Sequence, residues 1–201
     1  MDNVRSFIAI ELPEETKSEL ARIQTAIRRQ VASSAGGQRA AESAKWVDPT
    51  GIHLTLKFLG WVSSSKIPAI EEGIWRAAKK AKPFNLALKE LGVFPGWSRP
   101  RVIWVGVEER GSDFLGPLQE AIEDEMDKLG FAREERAFTP HLTLARVRET
   151  ATAEERRAIG EVVRKTPAPR GMPFVVTEVS LMRSELSPRG ARYSRLAALS
   201  L

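Results

Sequence analysis

The tetrapeptide His-Leu-Thr-Leu occurs twice in this chain, at residues 53–56 and, 88 positions later, at residues 141–144. The two copies contain both histidines of the 201-residue sequence. Side chains alternate across a strand, so within each copy the histidine and the threonine share one face and the two leucines share the other. The repeat therefore predicts a duplicated fold in which two imidazoles and two hydroxyls meet in one groove.

The elements around the two copies repeat as well. In the first part of the chain, hydrophobic periodicity predicts strands at 5–12, 52–59 and 84–93, a helix that begins at Pro13 and a helix at 67–78. In the second part it predicts strands at 101–107, 140–147, 173–182 and 192–199, a helix at 115–129, and a helix that follows a capping box of Thr152 and Glu155. Residues 33–43 are small and polar and predict a mobile loop.

The predicted fold class is α+β. Each half has the order β-α-β-α-β, with one extra strand at the C-terminus, and the motif lies on the second strand of each half. We therefore expect a single domain, residues 1–201, built of two similar lobes at roughly 1–96 and 97–201. A pseudo-twofold axis would relate the lobes, mixed or antiparallel sheets would carry helices on their outer faces, and the active-site groove would lie between the lobes.

Composition narrows the class of protein. The chain has no cysteine, which excludes disulfides, thiolate nucleophiles and cysteine-type zinc sites. Its net charge of +5 favours polyanionic partners such as RNA, although such a charge also serves solubility alone. No apolar run suits a membrane span or a signal peptide, so we expect a soluble, cytoplasmic monomer without a membrane partner.

Two histidines and two threonines in one groove favour acid–base chemistry on a phosphate. A neutral imidazole can remove a proton from an attacking oxygen, while a protonated one supplies a proton to a leaving oxygen. The hydroxyls can donate hydrogen bonds to phosphate oxygens. The set therefore suits in-line cleavage of a phosphodiester, and of a strained 2′,3′-cyclic phosphate in particular.

Other kinds of site fit the sequence less well. A metal site needs a third ligand, and no carboxylate lies in or right beside either motif. A Ser-His-Asp triad would leave one histidine unused, and no Gly-x-Ser-x-Gly elbow is present. A single copy could be an ordinary half-buried strand, but two copies at matching places in the element order argue against that interpretation.

With these features, the chain resembles the 2H phosphoesterases, and specifically the RNA 2′,3′-cyclic phosphodiesterases once described as 2′-5′ RNA ligases. The doubled His-x-Thr-x signature is intact, and the similarity extends over nearly the whole chain. The matching segments are residues 5–13, 46–47, 53–60, 94–95, 100–106, 138–146 and 184–193.

The resemblance implies a two-lobed α+β fold, hydrolysis of a cyclic phosphate to a 2′-phosphomonoester, and no metal or other cofactor. It implies that His53 protonates the leaving 3′-oxygen and His141 activates water, an order that the residues alone do not distinguish from the reverse. Thr55 and Thr143 would hold the phosphate oxygens. Arg146 would contact the phosphate, but strict alternation places it on the leucine face. A twist or bulge must turn it into the groove, and otherwise it is a solvated strand end.

The implied partner is RNA with 2′,3′-cyclic phosphate ends, and DNA is excluded because such an end requires the ribose 2′-hydroxyl. Two alternatives stay open, namely 2′-5′ RNA ligation at the same site and a non-catalytic module that binds RNA or nucleotides. Lys57 lies on the histidine face by alternation and would add charge there or extend into solvent. Arg5, Phe7 and Tyr193 fall in matching segments and could line the groove.

Overall fold

The computed structural model describes residues 3–34, 37–167, 169, 173–187 and 190–201. The strands in these ranges are β1 (Asn3–Glu11), β2 (Ala44–Trp46), β3 (His53–Ser63), β4 (Phe84–Phe94), β5 (Val102–Arg110), β6 (His141–Val147), β7 (Pro173–Val176), β8 (Glu178–Ser187) and β9 (Gly190–Ser200). The α-helices are α1 (Glu14–Ala32), α2 (Gly37–Glu42), α3 (Ile67–Ala78), α4 (Leu115–Lys128) and α5 (Ala153–Lys165). Short 3₁₀ turns occupy Pro49–Gly51 and Ser64–Lys66.

All nine described strands join one antiparallel sheet, and the α+β class is confirmed. Their order is β7-β4-β5-β6-β3-β1-β8-β9, with β2 paired to β6. At the centre, β3 and β6 are paired only at Leu54 and Leu142. The sheet therefore consists of two halves that touch at the two copies of the motif.

The two halves of the sheet are not the two halves of the chain. The strand β4, which ends the first repeat, pairs with β5, and β8 from the second repeat pairs with β1. The first half of the chain thus gives β2 and β4 to the sheet half of β6, and the second half gives β8 and β9 to the sheet half of β3, which differs from lobes divided near residue 96. The physical reason is the short connection Pro95–Arg101, which makes β4 and β5 a hairpin, because strands adjacent in sequence tend to pair.

The main core lies between the sheet and the helices. Along β1, Ile8 and Ile10 belong to this large cluster, whereas Phe7 and Ala9 belong to a small cluster with Met182. Alternation places these two sets on opposite faces of the strand. The face that carries Phe7 is the one on which the histidines lie.

Several elements differ from the predictions. The helix α2 occupies residues 37–42 of the predicted mobile loop, where it buries Ala40 and Ala41, while residues 35 and 36 lie outside the described part of the chain. The strand β3 continues past Gly60, which has a φ of +73° at a bulge and bends the strand instead of ending it. The strand predicted at 173–182 is divided at Thr177, and β2 was not predicted. The capping box of Thr152 is confirmed.

Candidate active site

The two motifs lie side by side at the centre of the sheet. Leu54 and Leu142 are paired across β3 and β6, and both are almost completely buried. Continuing this antiparallel register sets His53 beside Thr143 and Thr55 beside His141, all on the face opposite the leucines. The structure therefore brings the four predicted residues together, half-buried and related by the predicted approximate twofold symmetry.

Each imidazole is held by a backbone carbonyl two residues upstream. The Nδ1 of His53 lies 2.8 Å from the Gly51 oxygen, and the Nδ1 of His141 lies 2.7 Å from the Thr139 oxygen. Because a carbonyl oxygen can only accept, Nδ1 must be the donor in both rings. The tautomer is thereby fixed in the same way twice, which leaves Nε2 of each ring available to exchange a proton.

Aromatic side chains fix the plane of the first imidazole. The ring of Phe7 stacks on His53 with centroids 4.5 Å apart, and the edge of Tyr193 packs against His53 at 4.9 Å. The interpretation of Phe7 and Tyr193 as groove residues is therefore consistent with their positions. The Tyr193 ring also lies close to Gly51, where a Cβ would come within 3.1 Å of it.

A different aromatic pair packs against the second imidazole. Phe94 meets the ring of His141 edge-on at 5.1 Å, and Trp104 lies 6.2 Å away. The indole fits only because residue 92 is glycine, since a Cβ there would lie 2.1 Å from the Trp104 ring. The alternation of β5 places Trp104 on the face of Thr143, directly across from that residue.

The electrostatic surroundings of the two histidines differ. Burial lowers the pKa of both imidazoles below the usual histidine value. The nearby carboxylate of Glu11 opposes this effect at His53 and favours the protonated ring there. The Arg146 guanidinium reinforces it at His141, where it lowers the pKa further and favours the neutral ring.

A bulge brings Arg146 onto the face of the histidines. Relative to β5, the strand β6 has Leu144 as an extra residue, so that Leu144 and Ala145 are both buried. Arg146 is then exposed on the same face as His141. The predicted condition for a phosphate contact is met, and Lys45 of β2, which sequence reasoning missed, lies directly opposite Arg146.

The same kind of bulge in β3 overturns the prediction for Lys57. Here Leu56 is the extra residue, and Lys57 turns into the main core, neither towards the groove nor into solvent. Its ammonium forms an ion pair with Glu123 at 2.5 Å and donates to the Ala132 carbonyl at 2.8 Å. Lys57 therefore joins the sheet to α4 and does not contribute to the site.

A cavity of about 500 Å³ opens beside His53. Among its lining residues are Glu11, Lys17, Thr50, Tyr193 and Arg195. The Arg195 guanidinium bonds the Glu11 carboxylate and lies 3.1 Å from Glu178. Sequence reasoning missed Glu11 and Arg195, because their proximity depends on the pairing of β1 with β8 and of β8 with β9.

Two kinds of feature are absent from the part of the chain that the structure describes. No helix in it is long and apolar enough to cross a membrane. No group of three or more His, Cys, Asp or Glu side chains within those residues is placed to hold a metal ion.

A sequence model of the 2′-5′ RNA ligase superfamily matches residues 38–188, which is more than half of the chain. The chain belongs to this superfamily. The resemblance drawn from the doubled motif is therefore confirmed. The matched region includes both copies of the motif. The strand β1, which contains Phe7 and Glu11, lies before the matched region.

Similar proteins align with most or all of this chain. An RNA 2′,3′-cyclic phosphodiesterase of Methanothermobacter thermautotrophicus is 34% identical over 98% of this chain and 99% of its own. A protein of the same name from Thermotoga maritima is 37% identical over 72% of this chain and 71% of its own. The crystal structure of E. coli LigT complexed with 3′-AMP has a TM-score of 0.75 and 26% identity, and covers 100% of this chain and 99% of LigT.

Proposed function

We propose that this superfamily member hydrolyses the 2′,3′-cyclic phosphate at the end of RNA to a 2′-phosphomonoester, with His53 and His141 as the acid–base pair and without a metal. The observation that carries the proposal is the matched setting of the two imidazoles, each with Nδ1 bound to a carbonyl and Nε2 free for proton transfer. The curated relatives named RNA 2′,3′-cyclic phosphodiesterase support the activity.

The chemical step uses both rings at once. Nε2 of neutral His141 removes a proton from water, whose oxygen attacks the phosphorus in line with the 3′-oxygen. The bond between phosphorus and the 3′-oxygen breaks, and His53 donates its proton to that oxygen. The Thr55 and Thr143 hydroxyls and the Arg146 guanidinium stabilise the phosphate oxygens. The product has a 2′-phosphate and a free 3′-hydroxyl.

The charges around the histidines support this order of roles. An acid must be protonated before the reaction, and Glu11 favours the protonated form of His53. A base must be neutral, and Arg146 favours the neutral form of His141. When neighbouring charges shift the pKa values of two similar groups in opposite directions, one group is suited to act as the acid and the other as the base.

The proposal extends to the partner and the assembly. The substrate is RNA and not DNA, because the cyclic end contains the 2′-oxygen. A monomer suffices, since both histidines and both threonines of the groove come from one chain.

An RNA oligonucleotide with a 2′,3′-cyclic end, incubated with the purified protein in EDTA, tests the reaction. We expect a 2′-phosphate product, identified by mass spectrometry and by its resistance to enzymes that need a 3′-phosphate. A 3′-phosphate product would reverse the leaving oxygen, loss of turnover in EDTA would contradict metal independence, and an untouched cyclic end would contradict the activity.

The histidine variants are chosen to keep the local fold. In His53→Asn and His141→Asn, the amide nitrogen can still donate to the Gly51 or Thr139 carbonyl, but no Nε2 remains. Each variant should lose about a hundredfold or more of kcat, the usual contribution of one acid or base. Thr55→Val and Thr143→Val should lose about tenfold to a hundredfold of kcat/KM, because each removes a hydrogen bond to a charged oxygen. Thr25→Val, on an exposed position of α1, is the control and should retain wild-type kinetics.

A further inference from the structure

Two large aromatic side chains of β3 are exposed on the surface. Phe58 is 65% exposed and Trp61 is 69% exposed. In contrast, Leu59, which lies between them in the sequence, and Val62, which follows Trp61, are buried in the core. Exposed aromatic residues in one row on a sheet are unusual for a monomer unless they meet a partner.

Two bulges keep this row on the face of the histidines. The extra residue Leu56 turns Phe58 to that face, and the extra residue Leu59 does the same for Trp61. The cross-strand partners on β1 are Phe7 for Phe58 and Arg5 for Trp61. Since Phe7 stacks on His53, the exposed row is continuous with the candidate active site.

The row extends along β3 from the candidate active site, and its far end lies beyond the reach of the reacting nucleotide. With about 3.3 Å per strand residue, and with the bulges discounted, Phe58 is about 13 Å and Trp61 about 20 Å along β3 from His53. The Phe58 ring is the near end of the row, because its centroid lies 6.2 Å from that of Phe7, which stacks on His53 at 4.5 Å. A nucleotide whose phosphate lies between the histidines cannot extend as far as Trp61, but the nucleotides that precede it in the RNA can.

We propose that Phe58 and Trp61 form a stacking platform for the bases on the 5′ side of the cyclic phosphate end, with Arg5 beside them for the RNA backbone. This inference rests on the proposed function and specifies its substrate as single-stranded RNA of several nucleotides. Aromatic faces bind successive bases without regard to sequence, and cationic side chains follow the phosphates. Arg5 donates to the neutral Ser184 hydroxyl at 3.1 Å, and among the described residues it forms no ion pair.

The other end of the groove has a different character. At the position of β6 that corresponds to Phe58, five residues after the histidine, the chain has Arg146, with Lys45 opposite it. Like charges directly opposite each other destabilise a sheet, and a bound anion relieves this. The cationic end therefore suits the reacting phosphate, and the aromatic end suits the bases behind it.

The test compares substrates of two lengths. We measure kcat/KM for adenosine 2′,3′-cyclic phosphate and for a tetra-adenylate with the same cyclic end, and take the ratio. For the wild-type protein we expect the tetranucleotide to be favoured by about tenfold or more, the size expected from stacking of one or two bases. In Phe58→Ala/Trp61→Ala the ratio should fall towards one, and in Phe58→Tyr/Trp61→Phe it should be largely restored.

The controls separate base stacking on the platform from RNA binding at the cationic end and from self-association. Trp75→Ala removes another tryptophan, 44% exposed on α3, and should leave the ratio at its wild-type value. A length preference that is lost in Lys45→Gln but kept in the aromatic variants would place the RNA at the other end and overturn the platform. A change of oligomeric state in Phe58→Ala/Trp61→Ala, with the ratio intact, would show that the row is a protein interface.

The two proposals fail in different ways. If the wild-type protein turns over the mononucleotide and the tetranucleotide equally well, the platform is wrong and the proposed function stands. If neither substrate is turned over, the proposed function is wrong, and the platform as a substrate subsite is wrong with it.

Discussion

The side chains around each imidazole differ more than the two motifs do. Both histidines have the same carbonyl contact, but Glu11 lies near His53 and Arg146 lies near His141. These neighbours shift the two pKa values in opposite directions, on top of the decrease that burial causes in both. A pair of chemically identical groups is thereby made unequal before any substrate binds.

The pH dependence of kcat/KM follows from these shifts. We expect a bell whose optimum lies below the usual histidine pKa of about 6.5, because a lowered pKa means that the required proton is bound only at lower pH. Activity should fall on the alkaline side as the acid loses its proton, and on the acidic side as the base gains one. An optimum well above neutrality would contradict this prediction.

Two substitutions assign the limbs of that bell. Arg146→Gln removes a positive charge near His141, raises its pKa and should move the acidic limb upward if His141 is the base. Glu11→Gln removes a negative charge near His53, lowers its pKa and should move the alkaline limb downward if His53 is the acid. Both variants should therefore narrow the bell, whereas reversed roles would widen it. The measurement compares the pH values at which the two limbs fall in the variant and in the wild-type protein, so a lower overall rate of the variant does not affect the result.

The site residues could be predicted because the motif is local. His53, Thr55, His141 and Thr143 follow from strand alternation alone. Lys57 could not be placed, because one extra residue in β3 reverses the face of everything after it. The same event in β6 brought Arg146 to the face of the histidines, although strict alternation had placed it on the leucine face. The location of a bulge depends on the partner strand, which the local sequence does not contain.

At the scale of elements, the bulges also tie the sheet to its helical layer. The bulge in β3 sends Lys57 through the core to Glu123 on α4, and both side chains are almost completely buried, at 3% and 4% exposed. Glu123 also accepts hydrogen bonds from the Gln119 side chain and the Glu134 backbone. A buried carboxylate of this kind depends on its cation, since without it the charge is unpaired in the core.

Lys57→Met should therefore destabilise the protein by about 3–5 kcal/mol, measured by urea unfolding. Lys128→Met is the control, because that lysine is 65% exposed and its buried partner Glu125 keeps Arg76 as a second cation, so the substitution should cost less than about 1 kcal/mol. The double variant Lys57→Met/Glu123→Met should recover much of the loss. Equal effects of Lys57→Met and Lys128→Met would show that the buried pair has no special role.

Periodicity predicted the long helices and strands but not the short elements. The helices α1, α3, α4 and α5 each have an apolar stripe that the sequence shows directly. The helix α2 has six residues and is held by packing of Ala40 and Ala41, and β2 has three residues and depends on β6 for its pairing. Such elements are stabilised by tertiary contacts and give little local signal.

At the scale of the whole molecule, the halves of the chain are interleaved. The repeat and its order were visible in the sequence, but the exchange of β4 and β8 was not, because strand pairing is a long-range property. The first half of the chain contributes β2 and β4 to the sheet half that contains His141, and the second half contributes β8 and β9 to the sheet half that contains His53.

Fragments 1–96 and 97–201 should not fold separately, because each would expose the strand edges and apolar faces that the other covers. We expect circular dichroism and proton NMR to show each fragment largely unfolded or aggregated, and an equimolar mixture to regain the native spectra and activity. A folded, monomeric 1–96 fragment would contradict the interleaving. The same chain cut by a protease site inserted at 97–100 should remain one particle in size-exclusion chromatography.

The contrast between Phe58 and Arg146 has a consequence for how an RNA end enters. In a groove with perfect twofold symmetry, two poses of the phosphate that differ by half a turn would be equivalent, with His53 and His141 exchanging the roles of acid and base. Because Glu11 lies near His53 and Arg146 near His141, the proposed roles are unequal, and only one of the two poses sets the acid at the leaving oxygen. Because one end of the groove is aromatic and the other is cationic, the proposed substrate can bind favourably in only one orientation. Residues that take no part in proton transfer therefore select between the two poses that a duplicated site would otherwise allow.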